Sequence, residues 1–135
     1  MPAGADAGQG KDLRMTDWST RDLDAIDRAS EIRVAGRRGD GSLRTLTTIW
    51  HVVVDGALYV RSYKGPDGQW YRGVQHHHEG AIRWNGRTVD VAFVPDASHD
   101  AEVDAAYLAK YGDGGPTRAM IRRPATGTTL RVEPR

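Results

Sequence analysis

The chain has no cysteine, no surplus of basic residues and no long apolar run, and each shortage removes a class of function. Without thiols there is no disulfide, no thiolate nucleophile and no Cys-based zinc or iron–sulfur centre. Lys plus Arg number 19 against 18 for Asp plus Glu. A protein that neutralises many phosphates carries a clear basic excess, so nucleic-acid binding is not expected. No apolar stretch approaches the roughly 20 residues a bilayer-spanning helix needs, so no membrane association is expected. No apolar segment of the secretory kind follows Lys11 or Arg14, which makes the cytoplasm the expected location. The 135 residues are enough for one core and too few for two. Residues 1–15, small, polar and aperiodic, read as a flexible leader, and 16–135 as a single domain.

What is present is a succession of hairpins. Ile32 and Val34 alternate with charged neighbours ahead of the Gly39-Asp40-Gly41 turn, and a long strand is expected from Leu43 to Val54. Asp55-Gly56 separates Val52-Val53-Val54 from Leu58-Tyr59-Val60, and Asn85-Gly86 separates Ile82-Arg83-Trp84 from Thr88–Val94. Asp-Gly and Asn-Gly suit the two left-handed positions of a type I′ turn, the strongest local hairpin signal there is. A last strand runs through Leu130 and Val132. Helices are expected at 19–29 with Ser19 as N-cap, at 67–78 with Asp67 as N-cap, at 99–111 between Ser98 and Gly112, and for a turn at 117–122. Six antiparallel strands with covering helices make an α+β barrel or sandwich, mainly β. Hairpins cannot build a parallel dinucleotide-binding sheet.

The richest stretch chemically is 61–71, where a strand ends, a glycine-containing turn follows and a helix begins. Arg61, Ser62 and Lys64 supply two cations and a hydroxyl beside a helix start, a combination that suits a phosphate. A solvated turn with two surface cations fits the same residues, and both readings stand at this point. Trp70 and Tyr71 open the helix; neighbouring positions cannot face the same way, so one is expected in the core. Consecutive His76-His77-His78 splay by about 100° on a helix and cannot converge on one ion, so no metal site is expected. His51, on the long strand, is the candidate general base, set against an ordinary packing role. No nucleophile–base pair, carboxylate pair or phosphate-binding glycine motif of the nucleotidase kind is present. A protein without one can still be an enzyme if a cofactor carries the chemistry.

From Trp18 to Arg135 the chain resembles the uncharacterised family catalogued as domain of unknown function 2255, common in actinobacteria. The resemblance is carried by Arg37-Arg38-Gly39-Asp40-Gly41, Thr48-Ile49-Trp50 and Leu58-Tyr59-Val60-Arg61-Ser62. It continues through Gly65-Pro66-Asp67-Gly68-Gln69-Trp70-Tyr71-Arg72, residues 105–112 and Thr128-Thr129-Leu130-Arg131. That family is similar in turn to the split β-barrels of pyridoxamine-phosphate oxidases and deazaflavin-dependent nitroreductases. The nitroreductases carry a glycine turn and then Pro-x-Trp-Tyr in the segment holding the cofactor phosphate, echoed here by Gly65, Pro66, Trp70 and Tyr71. Gly73-Val74 stands where they have an Asn–Leu pair, and the Pro66–Trp70 spacing is longer.

The resemblance implies an antiparallel six-stranded split β-barrel and an oxidoreductase that uses FMN or a deazaflavin coenzyme on a small organic molecule. It implies that Arg61 and Lys64 anchor phosphate, Ser62 donates to it, Trp70 packs by the ring and Thr48 contacts the ring edge. A homodimer is implied, since the groove of such barrels often lies between two copies. Two alternatives accompany this reading. One is a cofactor-free barrel transforming a small molecule, with His51 or one of His76–His78 as base. The other is a non-enzymatic module, with Trp50 and Trp84 exposed as a dimer face.

Overall fold

Ser19 opens the first helix, α1 (Thr20–Arg28), in a computed structural model that describes residues 17–135. The leader expected over 1–15 lies outside the described residues. The Ser19 hydroxyl accepts the Asp22 amide at 3.1 Å, satisfying one of the orphan donors of the helix start. Ile26 is fully buried, and Leu23 packs against the same core. Just ahead, the Trp18 indole donates to the Val132 carbonyl at 2.8 Å and ties the helix to the far end of the chain.

Seven strands follow: β1 (Ile32–Gly36), β2 (Thr47–Ile49), β3 (His51–Val54), β4 (Ala57–Val60), β5 (Glu79–Trp84), β6 (Arg87–Pro95) and β7 (Leu130–Pro134). They form one antiparallel sheet in the order β2-β1-β5-β6-β7-β4-β3, nearly closed into a barrel. Both dipeptide turns adopt the expected geometry, with φ of 51° and 77° at Asp55-Gly56 and 48° and 76° at Asn85-Gly86. Six strands were expected and seven form, because the stretch 43–54 is interrupted at Trp50. Thr47–Ile49 pair with β1, whereas His51–Val54 pair with β4 at the opposite edge. A single residue thus carries the chain across the split.

Period-2 alternation sorts the side chains into two cores. Leu58 and Val60 of β4 join Ile32, Val34, Ile82, Val91, Phe93, Leu130 and Val132 inside the barrel. Tyr59, between them, turns outward with Val52 to meet Val103 and Tyr107. Those two lie on α3 (Asp100–Tyr111), four residues apart and therefore on one face. Gly112 ends α3 at φ 82°. Ser98 does not cap it; His99 stands at the N-cap without a capping side-chain bond, while Ser98 binds the Asp96 carboxylate. The turn expected at 117–122 begins earlier, as α4 (Gly115–Met120), because Pro116 is suited to a first helical turn.

The helix expected over 67–78 is shorter. Gly65–Asp67 form a separate 3-10 turn, and α2 spans only Gln69–Gln75 with Gly68 as N-cap. His76–His78 follow in an exposed turn, outside the helix. α2 lies directly on β1, where a Cβ built on Gly36 would stand 2.9 Å from the Gly73 carbonyl carbon and oxygen. Gly36→Ala is therefore expected to lower stability by about 1–3 kcal/mol, the usual cost of forcing volume into packed backbone. Gly127, whose Cβ would meet nothing within 4 Å, is the control. Urea denaturation giving equal midpoints for Gly36→Ala and Gly127→Ala would remove this contact as a constraint.

Candidate functional site

The chain crossing at Trp50 leaves a cavity of about 410 Å³ beside it. Its walls come from five places: Glu31 ahead of β1, the β2–β3 crossing, the loop after β4, the start of α2 and one side of α4. Thr47, Thr48, Ile49 and Trp50 all border it, at the point where the chain leaves its pairing with β1. The crossing is held by an aromatic clamp. Trp50 stacks on Tyr111 with ring centroids 4.0 Å apart and planes 5° from parallel, a geometry worth about 0.5–1.5 kcal/mol beyond area burial. The Tyr111 hydroxyl donates to the Ser30 carbonyl at 2.8 Å and accepts the His51 amide at 3.1 Å. Burial pushes this phenol up to about 12, so it stays protonated as a donor.

Of the six residues singled out from the sequence, five line the cavity: Thr48, Arg61, Ser62, Lys64 and Trp70. They do not share one role. Arg61 is fully buried, and every donor of its guanidinium is used within the fold. Nε donates to Thr129 Oγ1 at 2.9 Å, one terminal nitrogen to Asp104 at 2.5 Å and to the Met120 carbonyl at 3.0 Å, and the other to Asp100 at 3.2 Å. Its ring-facing side lies 5.9 Å from the Tyr107 centroid. A phosphate was expected here; two carboxylates and two oxygen acceptors of the chain itself take that place. Arg61 joins β4, α3, α4 and β7, and it stiffens the back of the cavity.

Ser62 differs. Its amide donates to Thr128 Oγ1 at 2.8 Å, but its own hydroxyl is buried without a hydrogen-bond partner. Gly68 comes so close to that oxygen that any Cβ there would collide with it. Lys64 and Tyr63 are exposed at the rim, with Tyr63 59% accessible. Trp70 is the member of the aromatic pair that turns inward, meeting Phe93 at 6.5 Å, while Tyr71 stands edge-on to it at 5.9 Å. The loop spends part of its amides on itself. Gly65 donates to the Ser62 carbonyl at 2.9 Å and Gly68 to the Gly65 carbonyl at 3.1 Å. With α2 only seven residues long, the polar capacity of this wall lies in the Ser62 hydroxyl and the Lys64 ammonium.

His51, the expected base, is outside the cavity. It is fully buried, with Nε2 2.5 Å from the Ile26 carbonyl and Lys110 Nζ 3.2 Å from its own carbonyl. The tautomer that donates from Nε2 satisfies Ile26 and leaves Nδ1 as a buried, unpartnered acceptor. Desolvation, followed by the Lys110 charge, lowers its pKa to about 4, so the imidazole is neutral at physiological pH. None of His76–His78 reaches the cavity wall either. Trp84 is buried against Trp18 rather than exposed as a dimer face, with centroids 6.0 Å apart at 82°, and Trp50 is committed to the clamp.

Sequence reasoning missed Glu31, Tyr63, Gln69, Pro116 and Met120, which the fold brings to the cavity from separate segments. It also missed Arg61's partners. Asp100 and Asp104 stand four apart on α3 and so share one face, from which both reach Arg61.

The comparisons with known proteins agree with this architecture. The family described as "Uncharacterized protein conserved in bacteria (DUF2255)" matches residues 22–132. No curated protein matches the chain by sequence. Among solved structures, HutZ, the heme storage protein from Vibrio cholerae, is similar with a TM-score of 0.60 at 12% identity, over 91% of this chain and 92% of that one. The conserved hypothetical protein Rv2991 from Mycobacterium tuberculosis is similar with a TM-score of 0.57 at 14% identity, over 91% of this chain and 83% of that one. At these identities the likeness is one of fold.

The sealed imidazole makes stability depend on pH. Because folding depresses the pKa from 6.5 to about 4, the unfolded chain takes up this proton first. The contribution is whole above pH 6.5, drains as pH falls towards 4 and is constant below, amounting to about 3 kcal/mol at 1.36 kcal/mol per pH unit. His51→Gln is expected to be less stable at neutral pH yet to lack this part of the slope. Urea melts of both proteins between pH 4 and 7 check it; parallel curves would show that His51 does not titrate on unfolding.

Proposed function

The chain belongs to the DUF2255 family of bacterial proteins, and we propose that it is a flavin- or deazaflavin-dependent reductase acting on a small organic molecule at the cavity beside Trp50. One observation carries the reading. A buried hydroxyl without a partner costs about 1–3 kcal/mol, and Ser62 places such a hydroxyl in the wall of a cavity whose rim holds Lys64. An orphan of that kind calls for a reason, and at a cavity wall a ligand that completes it is one. The donor set fits the polar end of these cofactors: Ser62 and Lys64 would hold the phosphate, and Thr47 and Thr48 would hydrogen-bond a ring edge. Trp50 and Trp70 supply flat apolar wall for a ring system.

When bound, a flavin or deazaflavin supplies hydride transfer to or from a small acceptor. The chain's own residues bind, orient and dry the site. Arg61, saturated and buried, fixes the strand end from which Ser62 projects. Met120 and Pro116 of α4 close the apolar side. The name of HutZ raises heme as an alternative occupant, but among the described residues this wall offers no histidine to an iron. The cofactor-free alternative loses its expected base, since His51 is sealed away.

Two measurements test the reading. Absorbance and fluorescence titration with FMN and with the deazaflavin coenzyme is expected to saturate with one of them, and Ser62→Ala and Lys64→Ala each to weaken binding about tenfold, the loss of one charge-assisted bond. Ser62→Ala is further expected to leave the ligand-free protein as stable or slightly more so, because it deletes an orphan rather than a bond. No saturation with either cofactor in the high-micromolar range overturns the assignment. The homodimer belongs to the same reading, with exposed Tyr63 at the cavity rim as the apolar surface a second copy would cover. Sedimentation is expected to show a dimer that Tyr63→Lys dissociates; a monomeric wild type removes it.

A further inference from the structure

We propose that a second groove, on the outer face of the sheet, is a binding site for a phosphate-type oxyanion. The register sets Arg33 of β1 directly opposite Arg83 of β5. Directly paired side chains on neighbouring strands stand about 4.5–5.5 Å apart at Cβ, and like charges so placed destabilise a sheet. The arginines just after β1 and at the start of β6 are neutralised: Arg37 by Asp90 at 2.5 Å and Arg87 by Asp22 at 2.8 Å. Among the described residues, neither Arg33 nor Arg83 has a carboxylate within salt-bridge distance. Both are exposed.

The pair lies in a groove of about 390 Å³. Thr48, opposite Arg33 on β2, and Asn85, at the β5–β6 turn, add a hydroxyl and an amide to its wall. One Arg83 terminal nitrogen is held by Thr88 Oγ1 at 3.0 Å, which fixes the guanidinium across the strand. Two guanidinium forks on adjacent strands match the oxygens of a doubly charged tetrahedral anion, and a bound anion converts their repulsion into attraction. Glu31 is the one carboxylate of the wall. It also lines the cavity beside Trp50, as does Thr48, so the two sites adjoin while keeping separate cations: Lys64 in the first, Arg33 and Arg83 in the second. This groove has no part in the cofactor assignment above and does not rest on it.

The probe is inorganic phosphate, titrated by calorimetry and by thermal melts at constant ionic strength with chloride as the reference. Saturable binding in the millimolar range is expected, with a rise in melting temperature that chloride does not produce. Arg33→Gln and Arg83→Gln are each expected to weaken binding about tenfold, and without phosphate to melt no lower than the wild type, since each relieves the like-charge pair. The titration is repeated in Lys64→Ala, which removes the cation of the first cavity, and the arginine-dependent binding is expected to persist there. Absence of saturable binding to the wild type overturns the proposal, as does binding that survives both arginine substitutions or is lost with Lys64→Ala. Cofactor binding to the first cavity is read separately by its absorbance, so the two assignments fail independently.

Discussion

One residue separates the two strands that form opposite edges of the sheet, and most of the molecule follows from that. Ile49 ends its pairing with β1 and His51 begins pairing with β4, so Trp50 must carry the chain across the gap with its own amide outside either ladder. A crossing that short pulls the edges together until the sheet is nearly a barrel. It also needs something to hold it, and the stacked Tyr111 ring with its doubly bonded hydroxyl does so from the end of α3. The cavity lies beside this crossing, bordered by Thr47 to Trp50.

The loop after β4 divides its labour within four residues. Arg61 turns inward and spends every donor on the fold, including two carboxylates of α3, Asp100 and Asp104. Ser62 offers a hydroxyl the fold does not use, and Lys64 reaches the rim. A buried arginine stripped of water is tolerable only when paired and fully hydrogen-bonded, and that requirement turned a candidate ligand anchor into a structural joint. The rigidity it brings is what makes an unpartnered serine next to it credible as part of a binding wall, since a loose loop would have let that hydroxyl find water.

Much of the fold was legible because it is governed by local rules. The two type I′ turns, the alternation of β4, β5 and β6, the Ser19 cap and the Gly112 stop are all written within a few residues of where they act. The seventh strand was not legible, because Thr47 to Val54 is a good strand throughout and only its change of partner divides it. Ser98 was a plausible cap whose side chain found Asp96 instead. At the site, five of the six expected residues reach one cavity, yet the direction of each side chain was hidden. Whether Arg61 meets a ligand or Asp100 and Asp104 depends on a helix some forty residues away, and whether His51 meets solvent depends on α1 lying over it.

The outermost strands are short, three residues in β2 and four in β3. A foreign strand laid along either would gain few backbone bonds before running into the Trp50 junction. Edge-to-edge growth of the sheet, the usual route by which β-rich chains aggregate, therefore has little template to start from. Self-association of this protein is left to side-chain surfaces, where charge and shape can select the partner.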